Sequence, residues 1–362
     1  MRNKGPMKVM TIIGARPQFI KAAVVSRAFS EHCPGVHETI VHTGQHYDSN
    51  MSDVFFEELN IPKPDYNLGV GGGTHGQNTG RMIEKLEGLM NEVKPDWVLV
   101  YGDTDSTLAG ALAASKLHIR VAHVEAGLRS FNRKMPEEIN RVLTDHIADL
   151  LFAPTESGRQ NLINEGIPVE KIKLVGDVMY DASLFYKEKA RKPVLPEELT
   201  IQGNDFVLCT IHRAENTDNA ETLRNILTGL GCSGEIIILP IHPRTRAKLA
   251  YVNAPLPANI YLIEPVGYLE MVWLEANCRV VATDSGGVQK EAYFHKKPCI
   301  TMRAETEWVE LVDIKANKLV GSEPKEIAKA ILKSGSFESK DHLYGSGSSG
   351  SEICRLLSSS IS

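Results

Sequence analysis

The segment VAHVEAGLRSFNRKMPEEINR, residues 121–141, opens as a buried strand and then sets Glu125, Arg129, Arg133, Glu137, Glu138 and Arg141 around that strand's end. Asp103 closes the apolar run DWVLVYGD a few residues upstream. Carboxylates held close together, partly desolvated and near guanidiniums have their pKa values pushed apart, which suits separate acid and base roles. Asp103, Glu125 and Glu137 are therefore the candidate acid/base set, with Arg129, Arg133 and Arg141 as counter-ions. An exposed salt-bridge lattice is the competing account.

A second constellation lies in TDSGGVQKEA, residues 283–292. A strand ends at Asp284, Ser285 is placed to cap a helix, and Gly286 and Gly287 let a ligand approach the backbone. The free amides and dipole of that helix start form an anion site. Glu291, one turn on, is placed to accept hydrogen bonds from ribose hydroxyls. HRAEN puts His212 at another strand end with Arg213 beside it, and further strand ends offer Arg16, Gln45 with His46, His242 with Arg244, Glu264, and Arg303 with Glu305. GGGTHGQ, residues 71–77, follows no strand in this reading and is expected as a flexible loop able to close over a ligand. No HExxH, no Walker GxxxxGK[ST], no GxSxG and no GxGxxG after the first strand occur, so neither a metal site nor a bound nicotinamide cofactor is expected.

These residues need elements to position them. Strands are expected at 8–15, 37–44, 96–103, 120–127, 149–155 and 171–177, and again at 205–212, 235–243, 259–265, 278–287, 298–303 and 318–321. Their unbroken Val/Ile/Leu runs mean strands buried on both faces, hence parallel sheets covered by helices. Two series of six point to two doubly wound α/β domains, in which ligands bind beyond the carboxyl ends of the strands. The first domain is expected over residues 1–178 and the second over 179–349. YGSGSSGS (344–351) is expected as a Gly/Ser linker, and residues 350–362 as a helix that returns to the first domain.

With 362 residues, a formal charge of −5 and 42% hydrophobic content, the chain fits a soluble protein and argues against general nucleic-acid binding. No apolar run reaches membrane-spanning length and the N-terminus lacks a signal peptide's apolar segment. The six scattered cysteines form no CxxC and are expected as reduced thiols of a cytoplasmic protein.

GARPQFIKAA, HTGQHYD, YGDTDSTLAGALAA, HVEAGLRS with PEEINR, HRAEN, HPRT, TDSGGVQKEA and KKPCITMR together resemble the non-hydrolysing UDP-N-acetylglucosamine 2-epimerases over essentially the whole chain. The resemblance implies a GT-B-like fold with the active site in the cleft between two Rossmann-like domains, a homodimer, UDP-sugar substrate and UDP as partners, and no redox cofactor. It implies Asp103, Glu125 and Glu137 as acid/base carboxylates, with His212 and Arg16 assisting departure of UDP. Gln45, His242, Ser285, Gly286, Gly287 and Glu291 fall where that family binds nucleotide or a second, regulatory UDP-sugar. The family text is closer to GTRPE, HRREN and TERPE, whereas this chain has GARPQ, HRAEN and TEWVE, and FNRKMPEE replaces a Tyr-Ser-Pro segment. These departures resemble the branch acting on UDP-2,3-diacetamido-2,3-dideoxyglucuronic acid in O-antigen synthesis, where Arg133 would meet a C6 carboxylate. The alternatives from other classes are a glycosyltransferase of the same fold and a non-catalytic nucleotide-sugar sensor.

Overall fold

The computed structural model describes residues 5–45, 56–199, 201, 204–241, 243–252, 256–340 and 342–360. His46 and His242, both singled out in the sequence, lie outside the described residues. The chain divides into two compact units, one of Met1–Ala182 with His342–Ser362 and the other of Ser183–Asp341.

In the first unit seven strands run β1 (Met7–Ile13), β2 (Val36–His42), β3 (Tyr66–Asn67), β4 (Trp97–Tyr101), β5 (Arg120–Val124), β6 (Leu150–Ala153) and β7 (Ile172–Leu174). Helices α1 (Arg16–His32), α2 (His75–Val93), α3 (Asp105–Lys116), α4 (Pro136–Ile147), α5 (Glu156–Asn164) and α6 (Val178–Lys187) connect or follow them, and the unit boundary falls inside α6. The sheet order is β3-β2-β1-β4-β5-β6-β7, every pair parallel. The second unit holds β8 (Phe206–Thr210), β9 (Ile236–Pro240), β10 (Ile260–Ile263), β11 (Val280–Thr283), β12 (Cys299–Thr301) and β13 (Asn317–Leu319), in the order β10-β9-β8-β11-β12-β13, again all parallel. Its helices are α7 (Ala214–Thr217), α8 (Ala220–Cys232), α9 (Pro243–Val252), α10 (Tyr268–Asn277), α11 (Gly286–Phe294), α12 (Val309–Asp313) and α13 (Pro324–Lys333). The final helix, α14 (Ser349–Ser359), belongs to the first unit and packs on α1.

The apolar runs behave as their composition requires. WVLVY of β4 and FVLCT of β8 are buried at every residue, since helices cover both faces. All twelve expected strands are present; the short β3 is an addition that the sequence pattern did not show. In each sheet the order in which strands are added switches sides at one pair, β1/β4 in the first and β8/β11 in the second. Such switch points leave a crevice beyond the carboxyl ends of the two strands, where open α/β sheets bind ligands.

Three expectations change. GGGTHGQ is the start of α2: Thr74 is its N-cap, accepting from the Gln77 amide, while the Gln77 side chain accepts from the Thr74 amide. The Ser/Thr-x-x-Gln pattern was the available signal. The stretch 344–351 is closely packed where a loose linker was expected. A Cβ on Gly176 would lie 2.7 Å from Tyr344 O and 2.9 Å from Gly345 Cα, and Gly350 N donates to Asp181 Oδ2 at 2.9 Å. Glycine is required there because two backbones touch. Finally, not all six cysteines are free. Cys33 at the end of α1 and Cys354 in α14 are bonded across 321 residues of sequence with Cα atoms 6.6 Å apart, while Cys209, Cys232, Cys278 and Cys299 are free thiols.

Candidate active site

Gly14 ends β1 and leaves no room for a side chain: a Cβ would sit 2.0 Å from Ser106 Oγ and 2.4 Å from Thr43 Oγ1. That closeness draws the ends of β1, β2 and β4 together. Gln18, in the first turn of α1, completes the joint. Its Oε1 accepts from the Gly14 and Ala15 amides at 2.7 and 3.0 Å, and its Nε2 donates to Tyr101 O, Thr104 Oγ1 and Thr107 Oγ1 at 2.7, 2.9 and 2.9 Å. An amide accepts and donates at once; a carboxylate in its place would have no proton for Tyr101 O. Gln45 is tied to the same spot, its Oε1 accepting from Ser106 N at 3.1 Å and Ser106 Oγ at 2.7 Å. Arg16 is exposed at the start of α1.

Asp103 and Glu125 follow the ends of the paired strands β4 and β5. Each carboxylate has its own cation: Asp103 pairs with Arg141 of α4, and Glu125 with the buried ammonium of Lys21 in α1. Glu125 holds φ at +73°, the left-handed region, at a cost of about 1–3 kcal/mol for a residue with a side chain. Its amide and that of Ala126 both donate to Phe152 O at 3.1 Å, so β6 holds the turn in place. Glu137 is exposed in the first turn of α4, a helix end that favours negative charge. Arg141 lies one turn further along that helix, and Asn140 Nδ2 donates to Asp103 O at 3.0 Å. The start of α4 therefore faces the Asp103 loop.

Sequence reasoning gave Glu138 no role here, passed over Lys21 and misplaced Arg129. Glu138 is buried and closes the loop between β5 and α4, accepting from Ser130 N at 3.0 Å, Ser130 Oγ at 3.1 Å and Phe131 N at 2.9 Å. It also meets Arg141 at 3.0 Å, so Arg141 bridges Glu138 to Asp103. An acidic residue at the third helical position reaching back over the cap was the legible signal. Lys21 stood out only as one lysine within the apolar FIKAAVV. Arg129 is not a counter-ion of the candidate carboxylates: it is buried against Asp145 at 2.7 Å and Glu165 at 2.7 Å. Arg133 is exposed, and no ion pair of its side chain occurs among the described residues.

In the second unit, His212 follows β8 and Asp284 follows β11, the two strands of the switch point. Asp284 is fully buried. Its carboxylate meets His212 Nδ1 at 2.9 Å and accepts from the His212 and Arg213 amides at 3.1 and 3.0 Å and from Asn216 Nδ2 at 3.1 Å. A carboxylate on Nδ1 makes that nitrogen the donor and turns Nε2 of the half-exposed ring outward. Burial pushes the Asp284 carboxyl up, but His212, the Arg213 amide and Asn216 outweigh it and hold the group below the ordinary 3.8. A depressed carboxylate stabilises the fold above the unfolded value and loses that contribution as pH falls through the folded one. In urea melts the stability gap between wild type and Asp284→Asn is thus expected to stay constant from pH 7 to 4 and close only below about 3.8. A gap that closes between pH 7 and 5 would mean that the carboxylate is not held in this way.

Ser285 is the N-cap residue of α11, but its side chain makes no capping bond, contrary to expectation. The Ser285 amide instead donates to Thr283 Oγ1 at 2.9 Å. Gly286 is crowded on one side, where a Cβ would lie 2.0 Å from Glu307 Oε1, whereas Gly287 is open. Glu307 in turn meets Arg303, which is buried, at 2.9 Å. Glu291 lies nearly buried beside Tyr268 and Glu275; burial first, and then the Glu291 charge, push the Glu275 carboxyl well above the carboxylate range. Lys290 stacks over Trp308 at 4.3 Å, where the TEWVE departure falls. Glu264 is an exposed partner of Arg246 at 2.7 Å.

The chemistry of these two strand-end clusters, carboxylates with cations in one unit and a His–Asp pair beside helix amides in the other, suits proton transfer and stabilisation of an anion. The family described as UDP-N-acetylglucosamine 2-epimerase matches residues 29–358. The chain belongs to that family. This epimerase is 52% identical over 358 residues to the Pseudomonas aeruginosa UDP-2,3-diacetamido-2,3-dideoxy-D-glucuronate 2-epimerase, covering 97% of this chain and 99% of that protein. It is 46% identical to the crystal structure of the Methanocaldococcus jannaschii UDP-GlcNAc 2-epimerase in complex with UDP-GlcNAc and UDP, covering 98% and 100% of the two chains with a TM-score of 0.86. An Anabaena protein in complex with UDP and glucose, 14% identical with a TM-score of 0.55, shares the fold alone. The expected GT-B-like class of two doubly wound units is thereby borne out. So is the isomerase class: the epimerase acts on nucleotide sugars.

No helix among the described residues is long and apolar enough to cross a membrane, and no group of three or more His, Cys, Asp or Glu among them is arranged to hold a metal ion.

Proposed function

We propose that this epimerase inverts C2 of a UDP-2-acetamido sugar by elimination and re-addition, and that its substrate is of the UDP-2,3-diacetamido-2,3-dideoxyglucuronic acid kind, made for surface polysaccharide. The observation that carries the mechanism is the pair Asp103 and Glu125 on neighbouring strand ends, each with its own cation. One carboxylate takes the C2 proton. The C–H electron pair becomes a C1–C2 double bond, and the C1–O bond breaks, its electrons leaving with UDP. In the return step UDP oxygen adds to C1 while a carboxylic acid delivers a proton to the opposite face of C2. Atoms and electrons balance without a redox cofactor.

The C2 proton is weakly acidic, so stabilising the departing diphosphate carries much of the barrier reduction. Arg16, His212 and the Ser285–Gly287 amides are assigned that task, with Asp284 positioning His212. Glu137 is the further acid/base carboxylate, Gln45 and His242 contact the nucleotide sugar, and Glu291 receives the ribose hydroxyls. A cytoplasmic homodimer is part of the same proposal.

Incubation with UDP-sugar in deuterated water, with no acceptor present, tests the reaction. Deuterium is expected at C2 of both epimers; unlabelled sugar after full equilibration would rule the mechanism out. Substrate choice is supported by Arg133 and Lys134, both exposed on the loop between Glu125 and Glu137. A charge-assisted pair to a C6 carboxylate is worth about 1.5–3 kcal/mol. Arg133→Ala with Lys134→Ala is therefore expected to lose about ten- to a hundredfold in kcat/KM on the uronic acid and little on UDP-N-acetylglucosamine. Equal losses on both sugars would remove the specificity role and leave the epimerase.

A further inference from the structure

His123 and Asp145 are fully buried and touch no candidate substrate group, yet they connect the two loops that carry Asp103 and Glu125. His123 is the fourth residue of β5. Its Nε2 lies 2.7 Å from Gly102 O, the carbonyl immediately before Asp103, and its Nδ1 lies 2.7 Å from Asp145 Oδ1. A carbonyl only accepts, so Nε2 is the donor to Gly102. The other Asp145 oxygen accepts from Gly127 N at 3.1 Å, two residues after Glu125, and meets Arg129 at 2.7 Å. Arg129 carries the chain of contacts on to Glu165 through two hydrogen bonds of 2.7 and 2.8 Å.

We propose that the His123–Asp145 pair is a positioning device for the epimerisation, fixing the Gly102–Asp103 turn and the Glu125–Gly127 turn relative to each other. The proposal deepens the assignment of Asp103 and Glu125 and rests on it. Both turns are in backbone conformations that do not hold themselves. Gly102 and Gly127, at φ of +63° and +83°, have a glycine's conformational freedom, and Glu125, at +73°, is strained and persists only where its surroundings over-determine it. One imidazole and one carboxylate reach both turns. Inversion, unlike simple proton exchange, needs the two faces of C2 served by two groups in register. The pair therefore matters most for the partition between returning the old epimer and forming the new one. Its surroundings agree: burial pushes the Asp145 carboxyl up, but His123 and Arg129 together hold it below the ordinary range, so it is a steady acceptor for both turns.

Two substitutions at one position separate this role from a structural one. Asn reproduces the donor at Nδ1 and loses the bond to Gly102; Gln reproduces the donor at Nε2 and keeps it. His123→Asn is expected to lower kcat for inversion by about a hundredfold with KM little changed, the usual scale for a misplacement of about 1 Å. In deuterated water its ratio of label in returned substrate to label in inverted product rises. His123→Gln keeps the bond to Gly102 but loses the one to Asp145, so it too is expected to lower inversion, by about tenfold or more. Hydrogen exchange is expected to speed up in the peptide spanning 101–105 in the Asn variant and in the peptide spanning 124–128 in the Gln variant, a readout that needs no substrate. Inversion near wild type in both variants, or exchange that rises alike in both peptides of both variants alongside a lowered melting temperature, would overturn the proposal. A wild type that exchanges no deuterium at C2 would instead refute the reaction proposed above, and the hydrogen-exchange comparison would still decide whether the pair fixes the turns.

Discussion

Asp103→Asn, Glu125→Gln and Glu137→Gln are each expected to lose about a hundredfold or more in epimerisation while still binding UDP, the usual scale for losing a general acid or base. Their stabilities are expected to differ, and that difference makes the experiment sharper. Glu137 is exposed at a helix start, so its amide variant should melt within about a degree or two of wild type. In the Asp103 variant Arg141 still has Glu138 at 3.0 Å, so the cost is modest. Glu125→Gln leaves the buried Lys21 ammonium facing a neutral amide, and breaking a buried pair costs about 3–5 kcal/mol. Changing Lys21→Met together with Glu125→Gln should recover much of that stability without recovering activity. Turnover by all three single variants within a few fold of wild type would return the segment to a purely structural role.

The largest expected effect on folding falls on Gly127. Its φ is +83°, and a Cβ there would sit 2.2 Å from Gly158 O and 2.7 Å from Gly158 C. Those are backbone atoms at the start of α5, so no side chain can rotate away. Gly127→Ala therefore combines a conformation that side chains avoid with an overlap relieved only by moving α5 off β5. A loss of about 4 kcal/mol or more is expected in denaturant unfolding of the first unit. Gly287→Ala is the control: its Cβ would meet nothing nearer than Ser285 Oγ at 3.9 Å, so folding should be little affected. A Gly127→Ala protein as stable as wild type would mean that α5 and the Glu125 turn are not in this contact.

The order and type of the elements were legible because each depends on a local pattern. Unbroken apolar runs such as WVLVY and FVLCT can only be strands buried on both faces, and twelve of them in two series specify two parallel sheets. The chemically capable residues were legible for a related reason: in such sheets the loops after the strands are where polar groups gather, and Asp103, Glu125, His212 and Asp284 all follow strand ends. Helix α2 was missed because three glycines masked the capping box behind them.

The sequence by itself determined the class of fold, the strands, and the acids and histidine that could do chemistry, since these follow from residue type and period along the chain. Only the tertiary structure decided who pairs with whom. Lys21 meets Glu125 across 104 residues of sequence and Arg141 meets Asp103 across 38, while Arg129, the arginine nearest to Glu125 in sequence, turns away to Asp145 and Glu165. No local pattern carries that information. Charge pairing in a fold is settled by which strand ends and helix faces the topology brings together, and by the cost of leaving any buried charge without a partner.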